Sequence, residues 1–186
     1  MSDDTKRIAY VDTGDYEDGK AYRCGALVVT LRGEPKEFRC TTPVRPNALQ
    51  RITYGSSLEP FMLVEVMGKP LLAAMQESID LYIVGDPILL NLRAAVQIPM
   101  VFARRQGTSG DENRSIVGEG SAKLISSPTG EFDTVVLEAF HEFPNDTKEA
   151  FPLLEEAARN LDVLEPFDRL QKALAMVHES KEVENG

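Results

Sequence analysis

Three carboxylates stand where the chemistry of a hard cation could be built. Asp12 follows the apolar run Ile8-Ala9-Tyr10-Val11, Asp86 follows Leu81-Tyr82-Ile83-Val84-Gly85, and Glu65 lies between them among Leu63, Val64, Val66 and Met67. An acid that follows a buried strand emerges at the strand's carboxyl end, and ligands of open α/β sheets sit outside those ends. An acid among apolar neighbours on a helix is costly to bury unless it is paired or holds an ion. Three oxygen donors with retained waters suit magnesium or manganese. Each residue also has a simpler use. Asp12-Thr13-Gly14-Asp15 is a turn signature, Glu65 would serve on a helix surface, and Asp86 before Pro87 has the chemistry of a helix N-cap.

The elements that must position these acids can be read from hydrophobic period and turn residues. Residues 7–11 and 25–31 read as strands closed by Asp12-Thr13-Gly14-Asp15 and Arg32-Gly33-Glu34-Pro35, and residues 36–44 as a third, stopped by Pro43 and Pro46. Short connections make the three an antiparallel meander. Residues 47–55 suggest a short helix, and 58–79 a longer one with a break or kink at Gly68-Lys69-Pro70. Residues 81–85 and 99–103 are continuous apolar runs typical of buried parallel strands, joined by a short helix over 88–96. Beyond a polar, glycine-rich stretch, 106–120, expected to be a mobile loop, residues 121–126 and 133–140 read as a hairpin. Residues 144–161 and 166–178 read as a helix pair. The expectation is an α/β protein: a mixed-sheet core over 1–104, a loop over 105–120, and an acidic hairpin and helices over 121–186 packed on the same domain.

Composition bounds the function. The 186 residues are 42% hydrophobic and 27% charged, which is globular and not disordered. No apolar run approaches the roughly 18 residues of a membrane span, and the polar start has no signal-peptide core, so a cytoplasmic protein without a membrane partner is expected. Cys24, Cys40 and two histidines are too few for structural zinc. The net charge of −10 argues against a polyanion partner, yet residues 1–120 carry 14 Lys and Arg against 16 Asp and Glu, whereas 121–186 carry 6 against 14. The near-neutral body leaves room for nucleic acid, with Arg104 and Arg105 beside the loop as candidate contacts to a backbone.

The order of meander, helix, strand, helix and strand, with Asp12, Glu65 and Asp86 at these places, resembles the ribonuclease H-like superfamily. Within it the chain is distantly similar to endonuclease V over residues 7–104. Tyr54-Gly55 lies upstream of the helical Glu65, Gly68-Lys69-Pro70-Leu71-Leu72 follows it, and Gly85-Asp86-Pro87 stands at the turn after the fourth strand. The family's Pro-Tyr and Pro-Gly wedge motif is not intact, because Ile52-Thr53 precedes Tyr54 and Ser56 follows Gly55. No His follows Asp86. The resemblance implies that Asp12, Glu65 and Asp86 bind Mg2+ or Mn2+ and cleave a phosphodiester, as a nuclease or a degenerate relative of one. Asp12-Thr13-Gly14 also matches the short aspartic-protease signature, but too little chain precedes it and too much helix follows.

The alternative is a non-enzymatic interaction module of the same fold, whose Glu155, Glu156, Asp162, Glu165 and Asp168 face a basic protein partner. The orientation of Glu65 relative to Asp12 and Asp86 separates the two readings.

Overall fold

The structure, a computed structural model, describes residues 5–108, 117 and 122–184. Most of the expected loop over 106–120 lies outside the described residues. Seven strands form one sheet in the order β3-β2-β1-β4-β5-β7-β6. Strand β1 (Arg7–Tyr16) pairs antiparallel with β2 (Ala21–Thr30), and β2 pairs antiparallel with β3 (Pro35–Cys40). On its other side β1 runs parallel to β4 (Leu81–Val84), which runs parallel to β5 (Met100–Arg105). The expected meander and parallel strands are therefore present, with β1 beside β4. The hairpin of β6 (Lys123–Ile125) and β7 (Val135–Ala139) extends the sheet through β5 instead of packing on it.

Strand β1 outlasts its expected end. The Asp12-Thr13-Gly14-Asp15 signature lies inside the strand, and the chain reverses only at Glu17, Asp18 and Gly19, all with positive φ (57°, 54° and 78°). A turn of this hand matches the twist of the flanking strands, which lets the hairpin register run unbroken from Arg7↔Thr30 to Tyr16↔Ala21. Cross-strand hydrogen bonds thus override a local turn preference.

Each face of the sheet is covered. Ala9, Val11, Cys24, Tyr82 and Val84 face one set of helices: α1 (Ala48–Tyr54) and a helical run from Gly55 to Ala73. That run passes from a 3₁₀ turn through α2 (Leu58–Pro60) and a π-helical stretch (Phe61–Gly68) into α3 (Lys69–Ala73). A 3₁₀ segment, Pro87–Ala95, completes this layer. Pro70 has no N–H to donate to the carbonyl four residues back, and the Lys69 N–H bonds the Val64 carbonyl five back, so the expected break is instead a widened helix. The expected extension to residue 79 does not form.

Ile8, Tyr10, Leu27, Leu81 and Ile83 face α4 (Asp146–Ala157) and α5 (Glu165–Glu184). Every fully buried Leu or Ile here contributes about 2 kcal/mol by leaving water. The layers are tied at one end by Arg93, whose Nε and Nη2 donate to the Asp146 carboxylate at 2.5 and 3.3 Å; the same carboxylate accepts the Met100 N–H at 2.9 Å. No helix among the described residues is long and apolar enough to cross a membrane.

Candidate functional site

Asp12 alternates with Ile8 and Tyr10, so its side chain leaves the sheet on the α4/α5 face. Its neighbours on both flanking strands lack side chains. Gly25 is its partner on β2, and Gly85 follows β4 on the other side, its N–H bonded to the Val11 carbonyl. A Cβ on Gly85 would lie 2.6 Å from Asp12 Cγ, and one on Gly25 would lie 2.7 Å from Leu174 Cδ2. The two glycines make a trough that lets the carboxylate lie flat and α5 come close.

Gln171 of α5 fills that trough. Its Nε2 donates to Asp12 Oδ2 at 2.7 Å and to the Thr13 carbonyl at 2.9 Å, while the Thr13 N–H donates to Asp12 Oδ1 at 2.9 Å. Burial raises the Asp12 carboxyl above its ordinary range, the hydrogen bonds from Gln171 and Thr13 pull it down, and the charge of Asp86 adds to the rise. Cys24, on the neighbouring strand, is pushed up to about 12 by burial and by Asp12. Cys24 and Cys40 sit on opposite faces of the sheet, both as free thiols.

The other two acids belong to the opposite layer. The π-helical stretch buries Met62, Leu63, Val64, Met67 and Gly68, which leaves Glu65 outside. Both Glu65 oxygens accept from Lys69 Nζ, at 2.7 and 2.8 Å, and the Glu65 side chain is 47% exposed. Asp86 caps the 3₁₀ segment, accepting the Ile88 N–H at 2.8 Å. The structure therefore brings Asp86 into electrostatic reach of Asp12 but does not bring Glu65 to either. Among the described residues no three of His, Cys, Asp and Glu are arranged to hold an ion.

Magnesium or manganese needs several free oxygen donors at one point. Here both Asp12 oxygens are engaged, Glu65 serves a lysine, and an amide donor, not an acceptor, fills the space above Asp12. This arrangement does not fit the ion that the resemblance implied. The arginines expected to meet a backbone are also engaged: Arg104 with Glu138, and Arg105 with Asp133 and Asp162.

Residues that the sequence reading passed over shape this face. Arg23, 1% exposed, donates from Nε to His178 Nδ1 at 3.1 Å and from Nη1 to the Thr41 carbonyl at 2.9 Å. His178 stacks on Tyr16 with ring centroids 4.2 Å apart, and its Nε2 stands 3.3 Å from Glu17 Oε1. Gln171, Leu174 and His178 recur at helical spacing beside the buried Leu170, a periodicity that marked the inward face of α5 and the polar residues on it.

No family model matches the chain, and no curated protein matches it in sequence. Solved structures do match. Endonuclease V from Bacillus subtilis superposes with a TM-score of 0.57 at 12% identity, over 95% of this chain and 83% of that one. Human ENDOV superposes with a TM-score of 0.55 at 13% identity, over 96% and 86%. Identity this low speaks for the fold alone. The chain has a ribonuclease H-like fold, distantly similar to that of endonuclease V.

Proposed function

We propose that this chain is a degenerate nuclease-like protein that acts by binding and not by cleavage, with a basic protein surface as its partner. The observation that carries the reading is the closure of Asp12 by Gln171, with Glu65 on the far side of the sheet and paired to Lys69. The pairing of Arg104 and Arg105 with acids of the same chain supports it from the partner's side, because a phosphate backbone would have to displace them. Exposed Glu149, Glu155 and Asp168 on α4 and α5 offer the opposite charge to a basic protein.

A divalent-metal-dependent nuclease is the second reading, favoured by the charge that Asp86, at the adjacent strand end, presents to Asp12. Thermal unfolding with and without manganese, on the wild type and Asp12→Asn, separates the two, together with incubation on a panel of single- and double-stranded DNA and RNA. Binding without cleavage predicts equal midpoints with and without manganese in both proteins, and intact oligonucleotides. A manganese-dependent rise that Asp12→Asn abolishes, accompanied by cleavage, would replace this reading with the nuclease.

A further inference from the structure

Strand β3 is an edge of the sheet, and among the described residues no strand lies against its outer side. Which of its backbone groups are open follows from alternation along the antiparallel ladder. The Thr41 N–H donates to the Cys24 carbonyl at 2.9 Å, so Arg39 and Glu37, two and four residues back, turn their groups toward β2. The N–H and C=O of Phe38 and Cys40 therefore point away from β2. At the other end, Pro35 and the register shift at Val28/Val29 interrupt the ladder and keep this open stretch short.

The side chains of β3 alternate as well. Phe38, 38% exposed, stands opposite Leu27 on the α4/α5 face. Glu37 and Arg39 stand opposite Val28 and Ala26 on the other face, where they pair with each other. The Glu37 carboxylate is held in place by the N–H groups of Gln76 and Glu77, at 2.9–3.1 Å. Alongside, a groove of about 540 Å3 separates β3 from a helical wall that exposes Val66, Pro70 and Ala74.

We propose that this edge pairs antiparallel with the β3 edge of a second copy of the chain, about a two-fold axis at Phe38. In that register each Phe38 exchanges both backbone bonds with the partner's Phe38, and each Cys40 stands opposite the partner's Lys36. Glu37 falls directly opposite the partner's Arg39, and Arg39 opposite the partner's Glu37, with facing Cβ atoms ~5 Å apart. The neighbouring registers fail on charge. An axis at Arg39 sets two guanidinium groups face to face, and an axis at Glu37 sets two carboxylates face to face. Among these three registers the order Glu37-Phe38-Arg39 is self-complementary only about its centre, which is why the occupant is a second copy. An axis perpendicular to the sheet also keeps the two helical walls on one face, so that exposed Val66, Pro70 and Ala74 of both copies flank the seam. The inference goes beyond the binding reading and uses none of its acids.

The test is sedimentation equilibrium of the full chain over a wide concentration series, where a reversible monomer–dimer equilibrium is expected. Phe38→Pro removes an outward N–H and leaves the β2 ladder intact, so the variant should keep its circular dichroism while association weakens about tenfold or more. Arg39→Glu sets acid against acid across the seam, and Glu37→Arg sets base against base; each alone should be monomeric. Mixed in equal amounts, the two should form a heterodimer, because every charge then meets its opposite.

A wild type that stays monomeric at every concentration would overturn the proposal, and so would a Phe38→Pro variant that associates as tightly as the wild type. A mixture no more associated than its components would overturn the register. If Glu37→Arg does not fold for want of its bonds to Gln76 and Glu77, Arg39→Glu decides the register by itself: undiminished association would overturn it.

Discussion

The two helical layers solve the same covering problem differently. On the α4/α5 face, regular helices approach a strand pair hollowed by Gly25 and Gly85, and polar side chains from helix and strand meet in matched pairs: Gln171 with Asp12, His178 with Arg23. On the other face, the covering run changes from 3₁₀ to α to π and back to α, and its polar residues turn outward. The difference teaches that a carboxylate's fate depends on which face it leaves by, not only on which end of the sheet it occupies. Asp12, Glu65 and Asp86 share an expected end, yet only Asp86 comes within electrostatic reach of Asp12, while Glu65 pairs with Lys69 on the other layer.

The largest test concerns the tie between the layers. Removing the buried Asp146, 2% exposed, leaves Arg93 and the Met100 N–H without their shared acceptor. Asp146→Ala should cost about 3–5 kcal/mol in chemical unfolding, and a loss below ~1 kcal/mol would mean that the layers do not depend on this tie. Next come the glycines. A methyl at Gly68 meets the Leu63 carbonyl at 2.7 Å and Leu92 at 2.8 Å, whereas at Gly25 it meets the flexible ends of Leu174 and Leu170. Gly68→Ala should therefore cost about 2–3 kcal/mol and Gly25→Ala nearer ~1 kcal/mol. The reverse order in melting temperatures would show that the irregular layer yields more easily than the regular one.

Asp12 gives a test through pH. Because burial raises its carboxyl above the ordinary 3.8, the folded state holds this proton to higher pH than the unfolded chain does. Stability linked to Asp12 is present below 3.8 and lost as pH rises through the raised value. Asp12→Asn should flatten that decline, with wild type and variant diverging as pH climbs from about 4 toward neutrality. Parallel stability curves would contradict a desolvated carboxylate. The smallest effect belongs to Glu65: this exposed pair one helical turn apart is worth about 0.2–0.5 kcal/mol, so Lys69→Ala should scarcely move the midpoint. A loss above ~1 kcal/mol would mean that Glu65 is engaged inward after all.

The architecture was legible because its signals are local. Apolar runs at 7–11, 81–85 and 99–103 marked central strands, and intervening helices demanded parallel pairing. The side on which Asp12 emerges was not legible. Ile8 and Tyr10 are as apolar as Ala9 and Val11, so alternation in β1 cannot tell which face will receive which helices. Glu65 was obscure for a different reason: the stretch Phe61–Gly68 departs from the 3.6-residue period, so apolar spacing alone does not fix the face on which Glu65 lies. The capping use of Asp86, the simpler of its two readings, was legible because it needs only the next two residues.

The position of β1 also has a temporal consequence. Its antiparallel partner β2 follows after a turn of four residues, but its parallel partner β4 lies more than 70 positions downstream, with Ile8 aligned to Leu81. Closing the first pair is a local event, and closing the second requires a long loop to be tethered, so the hairpin should assemble well before the centre of the sheet is complete. Until residues 81–84 arrive, one backbone edge of β1 stands open beside its buried apolar run Ile8–Val11. That interval is when the nascent chain is most exposed to pairing with a second copy of itself.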